Sequence, residues 1–116
     1  MKKTLTVLIA AAALLGAAGC SAAPATSNEE TCTRIQSVGS GPTSNSDKAG
    51  MTRLANRLRP VAATASDELK APLKSIIEYL DESAKANPDS AKVQDLQAQY
   101  SAAGQTLGTV CGGGGQ

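Results

Sequence analysis

Apolar residues in the central part of the chain recur three or four positions apart, a spacing that predicts helices rather than strands. The last such segment is the plainest, with apolar positions at Val93, Leu96, Tyr100, Ala103, Leu107 and Val110. Asn87 is the predicted cap of this helix, Pro88 its first position, and Asp89 lies near its positive end. Gly112 to Gly115 follow the segment, so residues 112–116 are expected to form a disordered tail.

A short helix is predicted at the other end of this region. Ser27-x-x-Glu30 has the pattern of a capping box, in which each side chain satisfies a backbone N–H of the first turn. Three apolar residues then share one face: Cys32, Ile35 and Val38. Gly39-Ser40-Gly41-Pro42 is expected to end the helix.

Residues 47–84 carry a longer helical pattern that contains two prolines. It starts near Ser46 or Asp47 and continues through Met51, Leu54, Leu58 and Val61, where Pro60 is expected to interrupt it. Beyond Pro60 the apolar positions are Ala65, Leu69, Leu73, Ile76, Ile77 and Leu80. Ser66-Asp67-Glu68 offers a second cap, and Pro72 suits a first-turn position or a kink. The pattern leaves open whether this region is one kinked helix or two.

Helices joined by short turns pack antiparallel, so the sequence predicts an all-α domain over residues 28–111. We expect a small antiparallel bundle of three to four helices. The composition indicates a thin core, because the chain has no Phe or Trp and only two Tyr.

The first twenty residues have a different character. Lys2 and Lys3 precede an apolar run from about Leu5 to Ala18, and small residues then lead to Cys20. The run is shorter than the roughly twenty residues that a membrane-spanning helix needs. A positive start, a short apolar stretch and a small-residue exit predict an export signal.

Lys2-Lys3, the apolar stretch and Ala17-Ala18-Gly19-Cys20 together resemble the signal peptide and lipobox of bacterial lipoproteins. The resemblance implies a signal peptide over residues 1–19, cleavage between Gly19 and Cys20, and a diacylglycerol on the Cys20 sulfur. Residues 20–27 would then be an anchor and flexible spacer on the extracytoplasmic face of the cell membrane. The alternative is an ordinary secretory signal, cut for example after residues 23–25, which releases a soluble protein.

Export changes the meaning of the other two cysteines. With Cys20 assigned to the lipid, Cys32 and Cys111 remain in an oxidising compartment, where such a pair closes into a disulfide. The chain-entropy model gives an upper figure of about 4.5 kcal/mol for a loop of this length. A redox or metal-binding pair is the alternative, but the chain has no histidine and no Cys-x-x-Cys. In an antiparallel arrangement, this pair favours four segments, or a helical hairpin with the first helix docked near its open end.

The residue types present exclude most catalytic chemistry. The absence of histidine removes the commonest general base and most catalytic zinc sites, so we expect no enzyme activity, no cofactor and no metal. Glu78, Asp81 and Glu82 could bind a cation or act as an acid/base pair, but a solvated helix face is the preferred interpretation.

Arg53, Arg57 and Arg59 form the other charge cluster of the sequence. They are candidates for contact with anionic lipid or a cell-wall polyanion. The alternative is an exposed face whose charges pair with Asp47 or with a neighbouring helix. Nucleic acid is not an expected partner, because the mature chain is close to neutral and the arginines have no interleaved aromatics.

These observations favour a non-enzymatic envelope module, held by a lipid and presenting a helical surface to a protein or to the wall. A carrier of small ligands or lipids would need a cavity between helices, which a core so poor in aromatics makes difficult. A hydrolase would need a nucleophile, a base or a metal set that the sequence does not offer.

Overall fold

The computed structural model describes residues 25–39 and 41–112, and within them all regular structure is helical. The helices are α1 (Asn28–Ser37), α2 (Lys48–Ala63), α3 (Asp67–Ser83) and α4 (Ser90–Leu107). A π-helical segment, Gly108–Gly112, continues α4. The prediction of an all-α domain is confirmed, whereas the lipobox residues Gly19 and Cys20 lie outside the described residues.

The first two helices start where the sequence predicts. The Ser27 side chain accepts the backbone N–H of Glu30 at 3.1 Å, as expected for a capping box. Asp47 caps α2 by accepting the N–H of Gly50 at 2.9 Å. The first helix ends at Ser37, and Gly39 follows with a φ of 94°, a left-handed conformation that glycine adopts without strain.

The predicted start of α4 was wrong by two positions. Asp89, not Asn87, is the N-cap, because its carboxylate accepts the N–H groups of Ala91 and Lys92. One charged acceptor therefore satisfies two of the unpaired donors of the first turn. Pro88 consequently lies before the helix rather than at its first position.

Residues 47–84 form two helices, separated by Thr64, Ala65 and Ser66. The expectation that Pro60 interrupts the pattern was wrong, since α2 contains Pro60 and continues to Ala63. A proline so close to the end removes only one helical hydrogen bond, and continuing the helix buries Val61. Pro72 lies within α3, beyond its first turn.

Hydrogen bonds between the helices fix their directions. Thr31, early in α1, accepts the N–H of Ser66 at the α2–α3 turn, and Val38, at the end of α1, accepts from Arg57 within α2. Lys48, at the start of α2, donates to the carbonyl of Lys85 beyond the end of α3. Helices α1, α2 and α3 therefore alternate in direction. Helix α4 continues the alternation, because Lys92 near its start contacts Glu82 at the end of α3 and Cys111 beyond its end is bonded to Cys32.

The predicted disulfide between Cys32 and Cys111 is present, with a Cα–Cα distance of 5.5 Å across 79 positions of sequence. It joins the start of α1 to the end of the π-helical segment. Gly112, assigned from sequence to the disordered tail, is instead the last residue of that segment, since the bond holds the helix end at Cys111. Residues 113–116 lie outside the described part of the chain.

The core lies where α1, α2 and α3 meet. Its buried apolar residues are Cys32, Val38, Met51, Ala55, Leu58, Val61, Ala65, Leu69, Leu73, Ile76, Leu80 and Ala103. Helix α4 buries less than predicted, because only Leu96 and Ala103 of its apolar stripe are buried. Tyr100 is 39% exposed, and its ring lies against that of Tyr79 with the centroids 4.5 Å apart.

Candidate functional site

The chain enters the domain at the α2–α3 turn. The N–H of Thr26 donates to the carbonyl of Thr64 at 2.9 Å, and Thr26 Oγ1 lies 2.8 Å from Thr31 Oγ1. Thr31 is fully buried, and its hydroxyl also accepts the N–H of Ser66 at 3.1 Å. The last residues of the predicted flexible spacer are thus bound to the domain from Thr26 onward.

Two of the three arginines singled out from sequence have separate partners in the fold. Arg59 forms an ion pair with Asp81 of α3. Arg57 donates to the carbonyl of Val38, at the end of α1, at a distance of 3.1 Å. Contact of these arginines with an anionic surface stays a prediction.

Arg53 lies near the cap of α2, as the pairing alternative anticipated. The backbone N–H groups of Thr43 and Gly50 lower the pKa of Asp47, and the positive charge of Arg53 adds to that effect. No ion pair between Arg53 and Asp47 is formed, so the pairing predicted from sequence is present only as this weak electrostatic influence.

Glu82 is not on a solvated face, contrary to the sequence interpretation. Its side chain is 5% exposed and contacts Lys85 at 2.7 Å and Lys92 at 3.1 Å. It also accepts the N–H of Asp89 at 3.2 Å. The hydrogen bond from Lys85, followed by that from the Asp89 N–H, lowers the pKa of Glu82 to about 2. This carboxylate therefore stabilises the α3–α4 turn, and its hydrogen-bonding capacity is used within the fold rather than for a ligand.

The other two acidic candidates, Glu78 and Asp81, form ion pairs with different basic residues. Glu78 lies 4.0 Å from Lys74 one turn earlier, and Asp81 pairs with Arg59. Within residues 25–39 and 41–112, no three His, Cys, Asp or Glu side chains converge in the manner of a metal site. The acidic cluster of the sequence is thus divided among structural ion pairs.

Sequence reasoning missed a groove between the end of α2 and the middle of α3, which we call the α2–α3 groove. Its volume is about 390 Å³, and it is lined by Arg59, Ala62, Ala63, Lys70, Lys74, Ile77 and Glu78. The exposed lining is mostly apolar and includes three cations and one carboxylate. The sequence offered one signal for it, the spacing of Lys70 and Lys74, which places both on one face of α3.

No helix of the described residues is long and apolar enough to cross a bilayer. Comparison of the chain with known protein families, curated proteins and solved structures gave no match.

Proposed function

We propose that the protein is a lipid-anchored module of the bacterial cell envelope, without enzymatic activity, whose helical bundle binds a protein or cell-wall partner or has a structural role outside the membrane. The amino-terminal sequence supplies the reason for the anchor. It combines two lysines, a short apolar run and a cysteine after small residues. A diacylglycerol on Cys20 would hold the domain at the membrane surface, and two acyl chains are enough for stable attachment.

The pairing of cysteines is the observation that carries this proposal. The chain has three cysteines, and Cys32 is bonded to Cys111. A long-range disulfide suits an oxidising compartment outside the cytoplasm. The remaining cysteine is Cys20, at the position where a lipoprotein carries its lipid.

The charged groups of the domain support a non-enzymatic role. Glu82, the carboxylate with the strongest perturbation of its pKa, is held by two lysines and a backbone N–H. A perturbed carboxylate in a cleft is a candidate for catalysis, but here its hydrogen-bonding capacity is used within the fold. Arg59 and Glu78 likewise have ion-pair partners.

Metabolic labelling with an alkyne fatty acid tests the anchor. We expect the wild-type chain, expressed in a bacterial host, to incorporate the label and to fractionate with membranes. Cys20→Ala should lose both properties. The double variant Cys32→Ala/Cys111→Ala is the matched control, because it removes two cysteines but leaves the lipobox, and it should still be labelled. Equal labelling of the wild type and Cys20→Ala would refute the anchor, and an unlabelled soluble wild type would indicate a secreted protein.

Crosslinking on intact cells, followed by mass spectrometry of the crosslinked peptides, tests the binding role. We expect crosslinks from the described surface to one recurring envelope component. A purified protein that instead turns over an envelope substrate would contradict the non-enzymatic assignment.

A further inference from the structure

The α2–α3 groove adjoins the point where the tether meets the domain. The N–H of Thr26 is bonded to the carbonyl of Thr64, and Ala63, the residue before Thr64, is part of the groove wall. Six peptide steps separate Cys20 from Thr26, and an extended chain of that length spans at most about 20 Å. If Cys20 is anchored, the groove therefore remains within reach of the lipid headgroups.

The chemistry of the groove suits an anionic amphiphilic surface. Ala62, Ala63 and Ile77 supply apolar wall. Three cations, Arg59, Lys70 and Lys74, line the groove with one carboxylate, Glu78, so the charge of the lining is net positive. Long basic side chains can lay their aliphatic stems along apolar surface and direct the charge outward to phosphates. Lys70 has no carboxylate partner among the described residues. The pairs of Arg59 and Lys74 are exposed, and exposed ion pairs are weak enough for a phosphate to replace the carboxylate.

The end of the bundle next to the tether has the opposite charge. The first turn of α1 carries Glu29 and Glu30, and the first turn of α3 carries Asp67 and Glu68. The Asn28 side chain donates to Glu68 at 3.2 Å, so these two turns adjoin. Contact of this end with an anionic bilayer would bring carboxylates against phosphates. Contact through the groove brings cations instead.

We propose that the α2–α3 groove lies on the anionic phospholipid headgroups of the membrane that holds the Cys20 anchor, so that the domain rests on its flank. This inference depends on the proposed anchor. The α3–α4 turn lies outside the groove, about 8 Å along α3 beyond Glu78, so the residues of that turn stay available to a partner.

Lysine acetylation of the lipidated protein in lipid nanodiscs tests this orientation. Discs of phosphatidylcholine alone are compared with discs in which about a third of the lipid is phosphatidylglycerol. We expect acetylation of Lys70 and Lys74 to be about threefold slower in the anionic discs. Lys48, Lys85 and Lys92 lie at the α3–α4 turn, outside the groove, and serve as internal references whose rates should change much less. The protection should also weaken at high salt, because screening reduces attraction between exposed charges.

Two matched variants make the test specific. Ala63→Glu places a carboxylate in the groove and should abolish the protection of Lys70 and Lys74. Ala98→Glu makes the same change at an exposed position of α4 and should leave the protection intact. Thermal melting checks that both variants are folded. Acetylation of Lys70 and Lys74 at the same rate in both kinds of disc would overturn the proposal. The intact mass of the same sample shows separately whether Cys20 is acylated, so failure of the orientation is distinguishable from failure of the anchor.

Discussion

Cys32 in the first turns of α1 is covalently bonded to Cys111 at the end of the last helix, 79 positions later. The bond holds the two ends of the folded domain together at the α2–α3 turn, next to Thr26, where the predicted tether joins the domain. It matters for stability because helix α4 itself buries only Leu96 and Ala103. A small domain with a thin core depends on such a crosslink.

Removal of the disulfide should therefore destabilise the domain strongly. For Cys32→Ser/Cys111→Ser we expect the free energy of unfolding to fall by about 3–4 kcal/mol, because the unfolded chain gains freedom when a long loop is opened. Urea denaturation of the variant and of the oxidised wild type measures the difference. Reduced wild type is the control and should resemble the variant. A loss below about 1 kcal/mol would show that the bond is not a main source of stability.

The buried hydroxyl of Thr31 should contribute more to the stability of the fold than the exposed hydroxyl of Thr33. Thr31→Val keeps the shape but leaves the N–H of Ser66 without its acceptor, which should cost about 1–3 kcal/mol. Thr33→Val removes an exposed hydroxyl from the same helix and should cost less than about 0.5 kcal/mol. Hydrogen exchange gives a local measurement, since the Ser66 amide should lose protection only in the first variant. Equal stability of the two variants would contradict this role of Thr31.

Two glycines in helices should respond to alanine in opposite directions. A Cβ at Gly50 would overlap the Asp47 carboxylate that caps α2, so Gly50→Ala should destabilise despite the better helix propensity of alanine. An added Cβ at Gly104 would meet open space, and Gly104→Ala should stabilise by about 1 kcal/mol. Thermal midpoints of both variants check the prediction. If Gly50→Ala raised the thermal midpoint instead, the Asp47 carboxylate could move aside without loss of stability, which would contradict the prediction.

The Glu82 carboxylate should make stability depend on pH in the acid range. Its pKa in the folded state is about 2, below the ordinary 4.5, so the unfolded chain binds more protons between these values. The stabilisation that Glu82 provides is complete above about pH 4.5 and is lost as the pH falls toward 2. Between pH 4.5 and pH 2, the melting temperature of Glu82→Gln should fall less than that of the wild type.

Glu78→Gln is the matched control, because Glu78 lies 4.0 Å from Lys74 and its side chain is 46% exposed, against 5% for Glu82. Its melting temperatures should follow the wild-type pH dependence. If Glu82→Gln also follows the wild-type curve, the carboxylate does not hold the turn as the contacts indicate.

Local signals in the sequence predicted much of the fold. The caps at Asp47 and Ser27 depend on residues within one turn, and both were correct. The other half of the predicted capping box is not formed, because the Glu30 carboxylate pairs with Arg34. The same local reasoning predicted Asn87 rather than Asp89 as the cap of α4, and this was wrong. Both residue types are good caps, and only the path of the α3–α4 turn decides which of them lies at the first turn of the helix. Pro60 was misjudged since the gain from burying Val61, which depends on other helices, exceeds the cost of one missing hydrogen bond.

The charged residues were harder to interpret from sequence. Glu82 was expected on a solvated face, and one of its partners, Lys92, lies beyond the turn in the next helix. The α2–α3 groove combines Arg59 of one helix with Lys70 of another, and no spacing rule connects them. Contacts between helices decide whether a charge is paired, buried or exposed, and the periodicity of a single helix does not contain that information.

The mass of the mature protein tests the central claim most directly. Protein purified from the membrane fraction of a bacterial host should begin at Cys20 and carry the added mass of a diacylglycerol, with Cys32 and Cys111 oxidised to each other. A soluble product that begins downstream of Cys20 and carries no acyl mass would contradict the account.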